Sequence, residues 1–294
     1  MSVRVLVTGA SGFVGRPLVE ALARRGATVI AASRRRPADT GAADWIETDL
    51  LADDPADLVA AARAERLVHL AWTAAPGVYA TDLGNVDWLA ASVALGRAFL
   101  AAGGRRIVGV GSCLEYDVDE NGPKLLYGAC KQACRLALDG LARQAPGASF
   151  AWPRIFFLLG RHDYPSRLAP SLARRLTAGE PVEVSSGRVE RDFMDVRDCA
   201  DAIAALALTD ASGCFDIATG VSTRIHDLAE MIALRSGRPD LLRTNPALDR
   251  PGEAARIVGD AGALVAATGF APRFSLEAAI DDVLDHWRDQ AGAA

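Results

Sequence analysis

The segment Val3–Gly15, VRVLVTGASGFVG, ends an apolar run at Thr8 and then sets Gly9, Gly12 and Gly15 in GxxGxxG spacing before the amphipathic stretch Arg16 to Arg25. A strand that turns so tightly into a helix is compatible with few architectures. Glycines let the backbone turn sharply and approach another group closely, while the helix start presents free N–H groups at the positive end of its dipole. That strand, turn and helix cradle a pyrophosphate in dinucleotide-binding folds. Gly9, Ser11, Gly12, Phe13, Val14 and Gly15 are therefore the first cofactor-binding candidates. The plain alternative is a glycine-rich turn that holds no ligand.

The rest of the first half repeats the same alternation. Short apolar runs at Val3 to Val7, Thr28 to Ala32, Arg66 to Ala71 and Arg106 to Gly111 are separated by helical stretches at Arg16 to Arg25, Pro55 to Ala64 and Asp82 to Ala102. A further helix at Tyr127 to Gln144 precedes the strand Ser149 to Phe157. This βαβα order predicts an α/β fold, a Rossmann-type doubly wound parallel sheet of six or seven strands. Beyond Gly160 the pattern changes to helices near Ser166 to Ala178, Arg224 to Ser236 and Ser275 to Gln290, with short strands around Val182 and Phe193. The expected division is a nucleotide-binding domain over 1–157, rejoined by strands near 193–217, and a smaller interleaved C-terminal substrate lobe over 158–294.

With 294 residues, 50% of them hydrophobic, the chain can bury a large core and a smaller companion. A net charge of −5 and a pI near 5.5 give it no electrostatic reason to seek nucleic acid or an anionic membrane. Five cysteines form no CxxC pair, and their odd number argues against a disulfide framework and for a reducing cytoplasm. The apolar run at residues 3–8 is too short for a signal-peptide core or a membrane span, so no targeting segment is expected. Cys130 and Cys134 share a helix face without a neighbouring histidine, and no metal site is expected.

The second strand is followed by Ser33-Arg34-Arg35-Arg36, with no carboxylate to take the adenosine ribose hydroxyls. A carboxylate there would repel a 2'-phosphate, whereas guanidinium groups grip one through paired, charge-assisted hydrogen bonds. Ser33, Arg34 and Arg35 join the cofactor candidates, and NADP(H) is favoured over NAD(H). Solvation of the arginine run as an ordinary loop is the competing reading.

Taken in order, TGASGFVG at Thr8 to Gly15, Asp49-Leu50, His69-Leu-Ala71, Gly111-Ser112, Tyr127-Gly-Ala-Cys-Lys131, Arg191-Asp-Phe193 and Arg250-Pro-Gly-Glu253 resemble the extended short-chain dehydrogenases/reductases of the NAD-dependent epimerase/dehydratase family. The resemblance covers nearly the whole chain. It implies that Asp49 and Leu50 line the adenine pocket and that Leu70 and Ala71 lie along the cofactor. It also implies a Ser112–Tyr127–Lys131 catalytic set, with Tyr127 as acid/base, Lys131 on the nicotinamide ribose and Ser112 on the substrate oxygen. Tyr127 and Lys131, four apart at a helix start, share one face; without the resemblance the pair is ordinary helix composition. A free tyrosine has a pKa of ~10, and a neighbouring ammonium favours its phenolate. Arg191 and Arg250 match arginines that hold a nucleotide sugar's diphosphate, with ordinary salt-bridge partnership as the lesser alternative for both. A homodimer built on the helices at Asp82 to Ala102 and Tyr127 to Gln144, which carry Trp88, Leu95, Phe99, Leu136 and Leu141, is the expected assembly.

Departures from the pattern narrow the activity. Cys113-Leu114 stands where the family's dehydratases carry Asp-Glu, which disfavours dehydration. The missing strand-end acid suits exchangeable NADPH, and hence a reductase of a nucleotide-linked 4-keto-6-deoxy sugar, better than a sugar-nucleotide epimerase. A non-catalytic NADP-binding sensor is the alternative from another class, and retention of Ser112, Tyr127 and Lys131 argues against it. The Ser112 to Tyr127 loop is about ten residues shorter than the resemblance leads one to expect. Phe157 replaces an asparagine that touches the sugar nucleotide in many relatives.

Overall fold

Parallel pairing dominates the computed structural model, which describes residues 2–37, 43–119 and 122–292. Strands β1 (Arg4–Thr8), β2 (Thr28–Ser33), β3 (Asp44–Glu47), β4 (Arg66–His69) and β5 (Arg106–Gly109) form one sheet with the strands Ser149–Ile155 and Gly213–Ile217. From one edge the order is Gly213–Ile217, Ser149–Ile155, β5, β4, β1, β2, β3, and each of these pairings is parallel. An eighth strand of two residues, Gly111–Ser112, pairs with Arg154–Ile155 after the chain leaves β5. β1 lies between β2 and β4, so the order reverses beside it, and crevices at such reversals bind ligands at the carboxyl ends of the strands.

Buried on both faces, the central strands read as continuous apolar runs: Val5, Leu6 and Val7 of β1 are each 0% exposed. Helices α1 (Gly15–Arg24), α2 (Pro55–Ala62), α3 (Gly84–Ala101) and α4 (Leu126–Gln144) supply the crossovers. Leu18, Val19 and Leu22 set the buried stripe of α1 at helical spacing. Leu95 and Phe99 of α3 and Leu138 and Ala142 of α4 join Leu6, Leu67, Ile107 and Trp152 of the sheet in one core.

The chain divides into two compact units. The first holds Met1–Ile155, Cys199–Ile217 and Gly262–Phe270; the second holds Phe156–Asp198, Ala218–Ala261 and Ala271–Ala294. In the second unit, the helices Leu168–Thr177, Ile225–Ser236 and Leu276–Gly292 bury Leu172, Leu176, Leu228, Ile232, Ile280 and Leu284 together with Val182 and Val184. It also holds the parallel pairs Phe157–Leu159 with Phe193–Asp195 and Val182–Val184 with Leu242–Thr244, and a three-stranded sheet in which Glu190–Arg191 lies between Thr223–Arg224 and Arg256–Ile257.

Elements of the structure differ from the sequence reading. The stretch near 193–217 holds the helix Val196–Leu208 between its two strands. Ala200, Ala202, Ile203, Ala204, Leu206 and Ala207 are all buried, so apolar residues cover much of the helix circumference and blur a 3.6-residue period. β3 is the second difference, because an edge strand with both ends exposed carries only a weak alternation. On the helices of the expected dimer, Leu95 and Phe99 take the face that packs on the sheet, and Leu136 is 57% exposed and Val86 52% exposed.

Candidate active site

The carboxyl end of β1 turns through Gly9 at φ +70, a conformation that side chains disfavour, and a Cβ there would lie 2.8 Å from the backbone nitrogen of Ala71. The glycine-rich turn is thereby pressed against Leu70–Ala71 beyond β4. The Leu70 N–H also donates to the Thr8 carbonyl at 3.2 Å. Among the described residues no side chain caps the start of α1, and no acidic residue occupies its first turn, which leaves the positive end of its dipole suited to an anion. Ser11, Phe13 and Val14 are half-buried around this turn, while Gly12 is exposed. A dinucleotide's pyrophosphate fits that chemistry.

Ser33 closes β2 and donates its hydroxyl to the Arg35 carbonyl at 2.7 Å, fixing the turn from which Arg34 and Arg35 project into solvent. Asp49 sits beyond β3, where its carboxylate accepts the Leu51 N–H at 3.1 Å, and Leu50 packs against the sheet core. All of these residues lie at the carboxyl ends of β1 to β4, on one rim of the sheet.

Ser112, Tyr127 and Lys131 meet on the same rim. Ser112 begins a 3-10 turn, Cys113–Tyr116, as one half of a capping box: its hydroxyl accepts the Leu114 N–H at 3.2 Å, and its own N–H donates to Oε1 of Glu115 at 2.8 Å. One turn along α4, Lys131 donates to the Val110 carbonyl at 2.9 Å, and its Nζ lies 5.8 Å from the centre of the Tyr127 ring. Residues 120 and 121 of the short connecting loop lie outside the described residues.

Burial sets the protonation of this group. It pushes the Tyr127 phenol well above its ordinary value; Tyr79 adds to the rise and the Ser112 side chain opposes it. The lowering expected from a nearby ammonium is therefore outweighed in the folded chain, and Tyr127 holds its proton at neutral pH. Burial also lowers Lys131 to about 8, against a smaller upward pull from Cys134 and Glu115. Glu115, 5% exposed, is itself pushed up by burial and held in check by donors from Ser112 and Trp152.

An aromatic group that sequence reasoning did not identify surrounds the pair. Trp72 lies edge-on to Tyr127 at 6.3 Å and stacks with Trp88 at 6.3 Å, and Tyr79 meets Tyr127 edge-on at 4.9 Å. Asn85, 2% exposed, ties the loop down by accepting the Trp72 indole N–H at 2.7 Å and donating to the carbonyls of Tyr79 and Asp82. Beneath it, Ser92 donates to the Trp88 carbonyl at 2.6 Å and so must accept from Nε2 of His69. Nδ1 then accepts from Thr8 at 2.7 Å. His69 is a neutral structural link between β1, β4 and α3.

The second unit carries the other two site candidates. Arg191, 4% exposed, donates to the carbonyls of Glu190 and Ala254 and pairs with Glu253 at 2.8 Å. Its guanidinium lies 5.5 Å from the Phe157 ring. The salt-bridge reading of Arg191 is thus realised within RPGE itself, while Arg250 is exposed. Asp192, fully buried, accepts from Thr219 and Gly220 and pins the strand end beside Arg191.

Residues 5–218 match the model of the NAD dependent epimerase/dehydratase family. The chain is 29% identical over 272 residues to a dTDP-6-deoxy-L-talose 4-dehydrogenase (NAD(P)(+)) of Kitasatospora kifunensis, covering 85% of this chain and 84% of that protein. It is 26% identical over 247 residues to a dTDP-6-deoxy-L-talose 4-dehydrogenase (NAD(+)) of Aggregatibacter actinomycetemcomitans, covering 77% and 88%. Among solved structures, MoeE5 in complex with UDP-glucuronic acid and NAD superposes with a TM-score of 0.83 at 28% identity, covering 98% of this chain and 99% of that one.

Proposed function

Since the chain belongs to the NAD-dependent epimerase/dehydratase family, we propose that it is an NADPH-dependent reductase of the 4-keto group of a nucleotide-linked 6-deoxy sugar. The observation that carries this reading is the meeting of Ser112, a protonated Tyr127 and Lys131 on the rim that also bears the phosphate loop. Likeness to two dTDP-6-deoxy-L-talose 4-dehydrogenases supports the substrate class. When bound, the cofactor supplies the hydride.

The chain's own residues then do the rest. The turn at Gly9 and the uncapped start of α1 hold the pyrophosphate, and Arg34 and Arg35 take the 2'-phosphate. Ser112 fixes the keto oxygen. Tyr127, which keeps its proton at neutral pH, gives it to that oxygen as negative charge develops, and Lys131 stabilises the phenolate left behind. Arg191 and Arg250 anchor the diphosphate, so that remote binding energy aligns the reacting carbon. On this reading Arg191 must exchange or share its bond to Glu253.

The test is NADPH consumption against dTDP-, CDP-, GDP- and UDP-4-keto sugars, beside a redox-neutral epimerisation assay on the parent sugars. Net NADPH oxidation with one of the keto sugars is expected. Epimerisation without net oxidation would replace the reductase by a 4-epimerase, and silence in both with NADPH still bound would favour a cofactor-binding sensor.

A further inference from the structure

Lys131 is the one charged side chain of the catalytic set, and its surroundings do little to keep it charged. It is 4% exposed, and burial lowers it to about 8. The titratable groups facing it are Tyr127 and Cys134 from its own helix, Glu115 from the turn after Ser112, and His69 at the end of β4. Tyr127 is protonated, Cys134 is pushed up to about 11, and His69 is lowered to about 3, so all three are neutral at pH 7. Glu115 is the acid among them, and burial works against its charge as well.

What does meet the ammonium is an indole face. Nζ of Lys131 lies 4.0 Å from the centre of the Trp72 ring, so it has two partners of different kinds: the Val110 carbonyl accepts its hydrogen bond, and the ring offers π density. The indole cannot swing aside, because its N–H is bonded to Asn85 and its ring is stacked against Trp88. The geometry points to Trp72 as a positioning residue for the proposed reaction, one that holds the Lys131 ammonium in register with Tyr127 through its ring face. The inference rests on the assignment of Lys131 to the catalytic set. Its physical content, a charge stabilised by a ring, stands independently of the substrate.

The chain has two lysines, Lys124 and Lys131, which makes the ammonium directly observable. Lysine labelled with carbon-13 at Cε gives two resonances, and Lys124, which pairs with Asp117 at 3.0 Å, serves as the internal reference. Trp72→Leu keeps apolar bulk but removes the ring face; Trp72→Phe keeps a face, and both lose the bond to Asn85. The Lys131 titration midpoint should fall by about one pH unit in Trp72→Leu and by a few tenths at most in Trp72→Phe. Replacing all five tryptophans by 5-fluorotryptophan in the wild-type chain weakens the ring face without changing the fold, and should lower the midpoint by an intermediate amount. The basic limb of the turnover profile should move with the midpoint. An unmoved midpoint in both the leucine variant and the fluorinated protein overturns the proposal. If the midpoint moves as stated in a protein that turns over no keto sugar, the positioning role stands and the assigned reaction fails.

Discussion

Trp152 donates its indole N–H to both carboxylate oxygens of Glu115, at 3.0 and 3.1 Å, directly beneath the turn that presents Ser112. Gly111 makes the approach feasible, since a Cβ there would lie 2.2 Å from Nε1 of Trp152. Trp152→Phe leaves a buried carboxylate with one donor fewer and a gap beside it. The expected loss is ~1–3 kcal/mol for the orphaned group, with more from the lost ring volume. Urea unfolding monitored by circular dichroism checks this, and a midpoint equal to wild type would show that the bond contributes nothing.

His69 ties acid stability to the same rim. Its folded value of about 3 lies below the unfolded reference of 6.5, so the unfolded chain binds the proton first as pH falls. The stabilisation is present above pH 6.5 and is lost as pH drops toward 3, with a slope approaching ~1.4 kcal/mol per pH unit for one proton. His69→Gln removes that titration. The free energy of unfolding, compared at about pH 7 and about pH 4.5, should fall more steeply in wild type than in the variant. Parallel slopes would remove His69 from the account.

Arg34→Ala tests the cofactor preference. A charge-assisted contact to the 2'-phosphate corresponds to ~1.5–3 kcal/mol, or roughly 10- to 100-fold in affinity. Calorimetry should show NADPH binding weakened by that factor and NADH binding unchanged. Equal affinities of the wild-type protein for the two cofactors would contradict the assignment of Arg34 and Arg35.

Leu136 on α4 and Val86 on α3 are exposed beside helices whose other apolar residues are largely buried. Pairing of these helices with a second copy would cover them. Light scattering at micromolar concentration should give a dimer mass for the wild-type chain and a monomer mass for Leu136→Glu. A wild-type monomer ends the proposal.

The tight strand-to-helix turn at Gly9 is legible because one short segment carries the whole signal: a strand, three spaced glycines and an amphipathic helix start. Tyr127 and Lys131 were legible only through the resemblance, since their spacing is common in helices. Trp72 and Asn85 were not legible as site residues. Their role depends on contacts between a loop beyond β4 and a helix far along the chain, which no local period encodes. Glu115 did leave a signal, since Ser112-Cys-Leu-Glu115 has the spacing of a capping box. The ion pair between Arg191 and Glu253 joins two motifs recognised separately, and only the fold brings them together.

Hydride transfer to C4 with Tyr127 as proton donor is tested most directly by isotope transfer. NADPH carrying deuterium at its transferable position is incubated with the active 4-keto sugar, and the product is examined by mass spectrometry and NMR. The account predicts one deuterium at C4 of the product for each cofactor oxidised, and a turnover in Tyr127→Phe reduced by roughly 10²- to 10⁴-fold with cofactor affinity nearly unchanged. Product without deuterium at C4, or wild-type turnover in Tyr127→Phe, would contradict it.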